Sequence, residues 1–241
     1  MQAVTIMNPE NVSQFSEQNQ ALRGGAGPRI YLQPIAAPSI LGLYGFAGAT
    51  FMVAANFAGW YGGPHTDLYL FPFAALFGGL AQFLAGMWAF KARDGLATAV
   101  HGTWGSFWIA FGLLNLLVVN GKIAAPALFS PEMGYWFIVL AAITWMCTVA
   151  ATAENVGLVC VLAALSIGST LEAIARLTGT GGIHMAAGYA FVISAIIAWW
   201  LASAMMFEET FGHAVIGIGK KKAREGSLTF GVGEPGVIRG Q

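Results

Sequence analysis

The sequence predicts an all-α polytopic membrane protein, a bundle of six transmembrane helices. Three observations carry that prediction. Of the 241 residues, 57% are hydrophobic and only 9% are charged, where a soluble domain carries about 25% charged residues. A water-soluble fold of this length has no means of hiding so much apolar surface. Next, six apolar stretches have the length, about 20 residues each, that a helix needs to cross about 30 Å of hydrocarbon. Lastly, these stretches hold almost no charge and lack the alternation of a β-barrel, while open strands leave backbone groups unsatisfied in lipid.

The first stretch, Ile40–Trp60, follows a polar segment, residues 1–36, that has no basic region leading into an apolar core; no cleavable leader is expected there. Gly62-Gly63-Pro64 separates it from the second, Leu68–Phe90. A connection bearing Lys91 and Arg93 leads to the third, Leu96–Val119. Gly121, Pro126 and Pro131 break the chain before the fourth, Gly134–Thr152. A tight turn holding Glu154 gives the fifth, Val156–Ala175, and Thr178-Gly179-Thr180-Gly181-Gly182 precedes the sixth, Ile183–Met206. Residues 37–212 are thus the transmembrane domain, and 213–241 a polar tail.

Net charge is zero, which offers nothing to nucleic acid. The placement of charge is informative. Nine basic residues (Arg23, Arg29, Lys91, Arg93, Lys220, Lys221, Lys222, Arg224 and Arg239) fall on one side, and two, Lys122 and Arg176, on the other. The positive-inside rule then puts both termini in the cytoplasm of a multi-pass protein of the cell (plasma or inner) membrane. Trp60, Tyr61, Tyr69, Trp88, Tyr135 and Trp136 flank the spans as an interfacial belt would. Small residues such as Gly42, Gly45, Gly48, Gly78, Gly79, Gly86, Gly102, Gly105 and Gly112 crowd the first three helices. They allow close approach, either within the chain or between copies.

Residues for catalysis or metal binding are missing from the pattern. The four histidines, His65, His101, His184 and His213, are scattered, and no HExxH, paired histidine or phosphate loop occurs. Cys147 and Cys160 both lie in apolar segments and have no metal-ligand spacing. No enzyme, cofactor or metal is expected. Ionisable groups within spans each cost about 2.5–3.5 kcal/mol at mid-helix, so Glu172 and Arg176 stand out. Four residues apart, they share a helix face and can pair. Two readings stay open: an ion pair near the interface, or, with His184, an outer vestibule where an anion meets Arg176. The polar residues Thr50, Asn56, Gln82, Thr103 and Ser106 read either as helix–helix hydrogen bonds or as the lining of a path. With Phe46, Trp104, Phe107 and Trp108 they suit a narrow pore of alternating polar and apolar rings. Composition ends there, at a small channel or transporter.

Three stretches go further. Phe77-Gly78-Gly79-Leu80-Ala81-Gln82-Phe83-Leu84-Ala85-Gly86, Thr103-Trp104-Gly105-Ser106-Phe107-Trp108 and Glu208-Glu209-Thr210-Phe211-Gly212-His213 resemble the acetate uptake transporter family of bacterial succinate–acetate permeases and fungal acetate transporters. Pro38, Leu41-Gly42-Leu43 and Gly45-Phe46 extend the resemblance, which spans about residues 36–219. It implies a six-helix protomer within a homo-hexamer, each protomer with its own pore for acetate and sometimes succinate. It also implies a constriction of three apolar side chains: Phe46, Trp104 and, on the fifth helix, a leucine near Leu171. Such a ring resists ions by dewetting. The sequence departs from the family where N-P-A-P-L-G-L becomes Ala37-Pro38-Ser39-Ile40-Leu41-Gly42-Leu43, where the constriction tyrosine becomes Trp104, and where a glutamate becomes Ala89.

The expected function is a transporter or channel for acetate and related small carboxylates, with or without proton coupling. Acetic acid titrates like a side-chain carboxyl and is almost wholly anionic at pH 7. Passage of the neutral acid requires protonation near the outer mouth, where Glu172 and His184 stand; passage of the anion requires donors such as Gln82, Asn56 and Thr50. An exporter of ammonium or ammonia, whose cation the Trp-rich interior suits, and a membrane sensor without transport are the alternatives.

Overall fold

Pro38 opens the first helix, because its missing N–H and fixed φ cost nothing in a first turn. The computed structural model describes residues 35–219. Residues 1–34 and 220–241, which hold most of the two polar end segments and seven of the basic residues behind the orientation, lie outside them. Six helices have the length and apolar character to cross a membrane: α1 Pro38–Phe57, α2 Thr66–Ala92, α3 Gly95–Val119, α4 Pro131–Ala151, α5 Val156–Thr178 and α6 Gly181–Phe211. Among the described residues there is no strand.

Local chemistry sets the ends. Asp94 caps α3 by accepting from the Ala97 N–H at 2.8 Å, and Asn155 caps α5 from Leu158 at 2.7 Å. Gly179 and Gly212 close α5 and α6 in the left-handed region, at φ 71° and 73°. α6 runs 31 residues, past the expected Met206, because Glu208-Glu209-Thr210 continue the helix beyond the apolar run. At about 46 Å it exceeds the hydrocarbon thickness, so its ends stand in the interface.

α2 changes pitch midway. Thr66–Pro72 is α-helical, Phe73–Ala81 is π-helical, and Gln82–Ala92 is α-helical again. Pro72 has no N–H to give its preceding turn and its ring crowds a carbonyl there, the usual setting for a shifted ladder. The widened segment carries Gly78 against Ala49 of α1 and Trp108 of α3, and Gly79 against Ile109.

The helices close into a ring: α1 packs on α2 and α6, α2 on α3, α4 on α5 and α5 on α6, while α3 and α4 meet along a sparser seam. The small residues are consumed inside this ring. A Cβ at Gly86 would meet the Gly102 backbone, one at Gly105 the Phe83 backbone, and one at Gly112 Ala75. Of the two uses open to these glycines, packing within the chain accounts for most of them. Gly102 is the exception, with open space where its Cβ would be. The exterior is apolar, with Leu76, Met146, Val149 and Trp199 exposed, as lipid permits. Trp60, Tyr61, Tyr69, Trp88, Tyr135 and Trp136 are also exposed, and Lys91 Nζ lies 5.4 Å above the Trp88 ring.

Candidate functional site

Three cavities succeed one another along the ring's interior. On α1 they take Ser39, Leu43 and Phe46, then Thr50, Val53, Ala54 and Phe57, then Asn56 and Phe57. On α3 the order is the same: Leu96–His101, then Trp104–Trp108, then Phe111 and Asn115. The progression along both helices gives the axis of a path.

The first cavity, about 70 Å³, opens between the α2–α3 and α4–α5 connections, where Asp94 and Glu154 stand at its rim. Burial and the charge of Asp94 push the Glu154 carboxyl above its ordinary range. Deeper in, Gln82, His101, Leu162 and Leu165 line it, and Phe46 forms its floor. The second cavity is a small aromatic chamber of about 20 Å³ bounded by Phe57, Trp104, Phe107, Trp108, Phe137 and Phe191. The third, about 260 Å³, is the mouth at the opposite end, lined by Asn56, Asp67, Asn115, Arg176 and His184 among others.

Aromatic contacts separate the three. Phe46 and Trp104 meet edge to face with centroids 6.2 Å apart, between the first cavity and the second. Phe57 belongs to both the second and the third. Its ring lies 4.3 Å from the His184 ring and 5.7 Å from the Arg176 guanidinium carbon. Trp104 is held in place by its Nε1–H, which donates to Thr144 Oγ1 at 3.1 Å across the α3–α4 seam.

Buried polar atoms in native folds nearly always have partners. Among the described residues Thr50 Oγ1, Gln82 Nε2 and Oε1, His101 Nδ1 and Trp108 Nε1 have none. All four side chains line these cavities: Gln82 and His101 the first, Thr50 and Trp108 the second. Each pair sits on its own side of the Phe46–Trp104 contact. Such groups are satisfied by whatever occupies the cavities, water or a polar solute.

At the third cavity Glu172, fully buried, accepts from Arg176 Nε at 2.6 Å and bonds His184 Nδ1 at 2.7 Å. Arg176 also reaches the Ala127 carbonyl at 3.4 Å. The ion pair and the mouth are thus one arrangement: Glu172 is the buried anchor, and Arg176 and His184 face the cavity.

The other expected path residues divide. Phe107 and Trp108 line the aromatic chamber, and Asn56 lines the mouth, where its Nδ2 donates to the Tyr61 carbonyl at 2.8 Å. Ser106 is exposed on the outer face and returns its hydroxyl to the Gly102 carbonyl at 2.7 Å. Thr103 is half-buried and lines none of the three cavities. Leu171 also lines none and packs half-buried at the edge of the core. Six residues is well short of two full turns, so Leu171 points away from the face on which Leu165 reaches Phe46's cavity. His101 went unremarked among scattered histidines. Its spacing from Trp104 and Trp108, three and seven residues, was the available signal that it shares their helix face. Among the described residues no cluster of His, Cys, Asp and Glu could hold a metal.

Comparison with known proteins agrees with this architecture. The profile of the GPR1/FUN34/yaaH family matches residues 22–216. The chain is 26% identical to the Ammonia transport outward protein 2 of Saccharomyces cerevisiae, over 77% of this chain and 67% of that one. It is 27% identical to the Acetate transporter protein patA of Aspergillus clavatus, over 74% of this chain and 76% of that one. With the Succinate-acetate/proton symporter SatP of Escherichia coli K12 it shares 26% identity, over 77% and 96% respectively. The solved structure of the bacterial acetate channel SatP superposes with a TM-score of 0.71 at 25% identity, covering 77% of this chain and all of that one.

Proposed function

Because this chain belongs to the GPR1/FUN34/yaaH family, we propose that it conducts acetate and related small carboxylates, succinate among them, across a membrane through the interior of its helix ring. One observation carries the reading: two pairs of buried, unpartnered polar groups flank an aromatic partition on a single axis. A carboxylate needs donors to replace its water. Gln82 Nε2, Trp108 Nε1 and the Thr50 hydroxyl supply them in sequence, while the partition between keeps hydrated inorganic ions out by dewetting.

Within this reading the narrowest ring is Phe46, Trp104 and Leu165, with Leu165 taking the place first expected for Leu171. Asn56, Arg176 and His184 receive the anion at the outer mouth, and Glu172 keeps Arg176 from trapping it. Both termini are cytoplasmic in a cell membrane, on the strength of the basic-residue bias. Reporters fused after Gln241 and within residues 62–66 test that arrangement, and an external C-terminus contradicts it. A homo-hexamer is the assembly, supported by the family resemblance and by the continuous apolar exterior. Native mass spectrometry in mild detergent tests it, and a monomer alone contradicts it.

Transport of ammonia or ammonium is the second reading. The acidic rim of Asp94 and Glu154 and the aromatic chamber favour it, since carboxylates and ring faces attract cations. Labelled acetate and methylammonium, offered separately to liposomes holding the purified protein, decide between the two. Saturable acetate entry blocked by unlabelled acetate supports the carboxylate reading.

A further inference from the structure

After α6 the chain returns to the start of α5 and is pinned there. The Val156 N–H donates to the Gly219 carbonyl at 3.2 Å, and the Gly157 N–H to the Ile218 carbonyl at 3.1 Å. Both are donors that a first helical turn leaves without intrahelical partners. Gly219, at φ 66°, packs so closely that a Cβ on it would lie 2.9 Å from the Val156 Cβ, and the Ile218 side chain is buried in the core. Gly219 is thereby held against the residue two positions after Glu154. Glu154 stands with Asp94 at the rim of the first cavity, and Asp94 is near enough for its charge to act on the Glu154 carboxyl. Behind this rim Gln82, fully buried, and His101 bring unpartnered polar atoms to the same cavity. The match to the family profile ends at residue 216. Directly after Gly219 come Lys220-Lys221-Lys222-Ala223-Arg224, which lie beyond the described residues.

We propose that the basic segment 220–224 docks on the Asp94–Glu154 rim and completes the mouth of the first cavity, turning a mouth that repels carboxylates into one that admits them. Reach favours the rim. The segment starts beside Val156, and five residues extend at most about 18 Å, so the two carboxylates stand within its range from the first lysine on. Charge favours it as well: Asp94 and Glu154 are the carboxylates of the cavity lining, and the segment brings four cations to them. A solvent-exposed cation offsets part of the repulsion between two carboxylates. Left bare, a mouth lined by one sign of charge depletes ions of that sign, and an acetate anion would meet the rim before it met Gln82. Anionic lipid headgroups are the competing attraction for a basic segment that follows a transmembrane helix. The docking stands independently of the carboxylate reading above; its effect on flux rests on that reading.

Limited proteolysis of the full chain, held in nanodiscs that contain anionic lipid, tests the docking. Trypsin cleaves after lysine and arginine, so docking shields the segment, and mass spectrometry follows release of the fragment that begins at Glu225. The double variant Asp94→Asn, Glu154→Gln keeps a side chain able to cap α3. Release from it is expected to be about fivefold faster than from the parent protein, the scale that exposed ion pairs set. Equal release means that headgroups or water hold the segment, and overturns the proposal. High salt should speed release from the parent protein toward the variant's rate; a parent rate that salt leaves unchanged also overturns it. In liposomes, Lys220→Gln, Lys221→Gln, Lys222→Gln and Arg224→Gln together are expected to lower acetate flux by about tenfold, the low end of what focused charge contributes. Adding Asp94→Asn and Glu154→Gln to that variant should restore it. Flux that the four substitutions leave unchanged or raise, or that the added two do not restore, overturns the role given to the mouth. If the parent protein itself carries no acetate, the carboxylate reading falls, and proteolysis still decides the docking.

Discussion

The indole of Trp104 stands at 75° to the Phe46 ring, centroids 6.2 Å apart, with one unpartnered polar pair on each side of the contact. The indole cannot easily swing aside. Its Nε1–H is bonded to Thr144 Oγ1, which in turn donates to the Leu140 carbonyl at 2.6 Å. Phe107 backs it at 5.3 Å, and Trp108 backs Phe107 at 5.0 Å. A rigid apolar partition between two polar stations is what a barrier to hydrated ions requires.

Shrinking the partition should open it. Trp104→Ala and Phe46→Ala are each expected to raise acetate flux, to admit succinate more freely and to let chloride through. Loss of a buried aromatic costs about 3–5 kcal/mol, so fluxes are compared at matched amounts of folded protein. Unchanged flux ratios in both variants contradict the placement of the barrier.

Glu172→Gln should weaken the fold and the mouth together. Removing one member of a buried ion pair costs about 3–5 kcal/mol, because the other charge is left without compensation. Thermal unfolding in detergent should show Glu172→Gln far less stable than His184→Gln. The latter forfeits one hydrogen bond to a charged group, about 1.5–3 kcal/mol. Equal stability of the two variants contradicts Glu172's role as anchor.

The glycines give a matched pair. At Gly105 a Cβ lies 2.6 Å from the Phe83 amide nitrogen, backbone that cannot yield without moving a helix. Gly105→Ala is expected to destabilise by about 1–3 kcal/mol. Gly102 has no neighbour within 4 Å at that position, so Gly102→Ala should be neutral or stabilising by up to about 1 kcal/mol. Melting temperatures check both, and a stable Gly105→Ala contradicts the close α2–α3 contact.

The rim carboxylate sets a pH dependence. A glutamate whose folded-state pKa is raised binds its proton more tightly folded than unfolded, so its presence opposes folding as pH rises past the unfolded value. Glu154→Gln should therefore be more stable than the parent protein at neutral pH. The difference should vanish in acid, where both forms are neutral. A stability gain that persists unchanged at low pH contradicts the cause given for the shift.

Much of the fold was legible because lipid leaves a chain few choices. Apolar length gave six spans, and placed the starts of α1, α3 and α5 and the end of α5 within three residues of where Pro38, Asp94, Asn155 and Gly179 set them. Where a motif was sharp it named Phe46 and Trp104, and the two rings meet edge to face. On α5 no motif fixed the register, and Leu165 rather than Leu171 reaches the cavity. Ser106 illustrates a different gap: its hydroxyl bonds back to its own helix on the exposed face, and an α3 whose polar residues Thr98, Thr103, Ser106 and Asn115 fall on different sides does not announce which face turns inward. His101 was hidden for the same reason. Only the fold brings Gln82 from another helix into the same cavity and leaves the His101 Nδ1 without a partner.

Entry of labelled acetate into liposomes containing the full chain decides whether the helix ring conducts acetate. Saturable entry above that of protein-free liposomes is expected. Unlabelled acetate should compete with it and chloride should not, and Gln82→Leu, which removes the amide from the path, should reduce it. Entry indistinguishable from protein-free liposomes, or methylammonium entry without acetate entry, contradicts conduction of acetate.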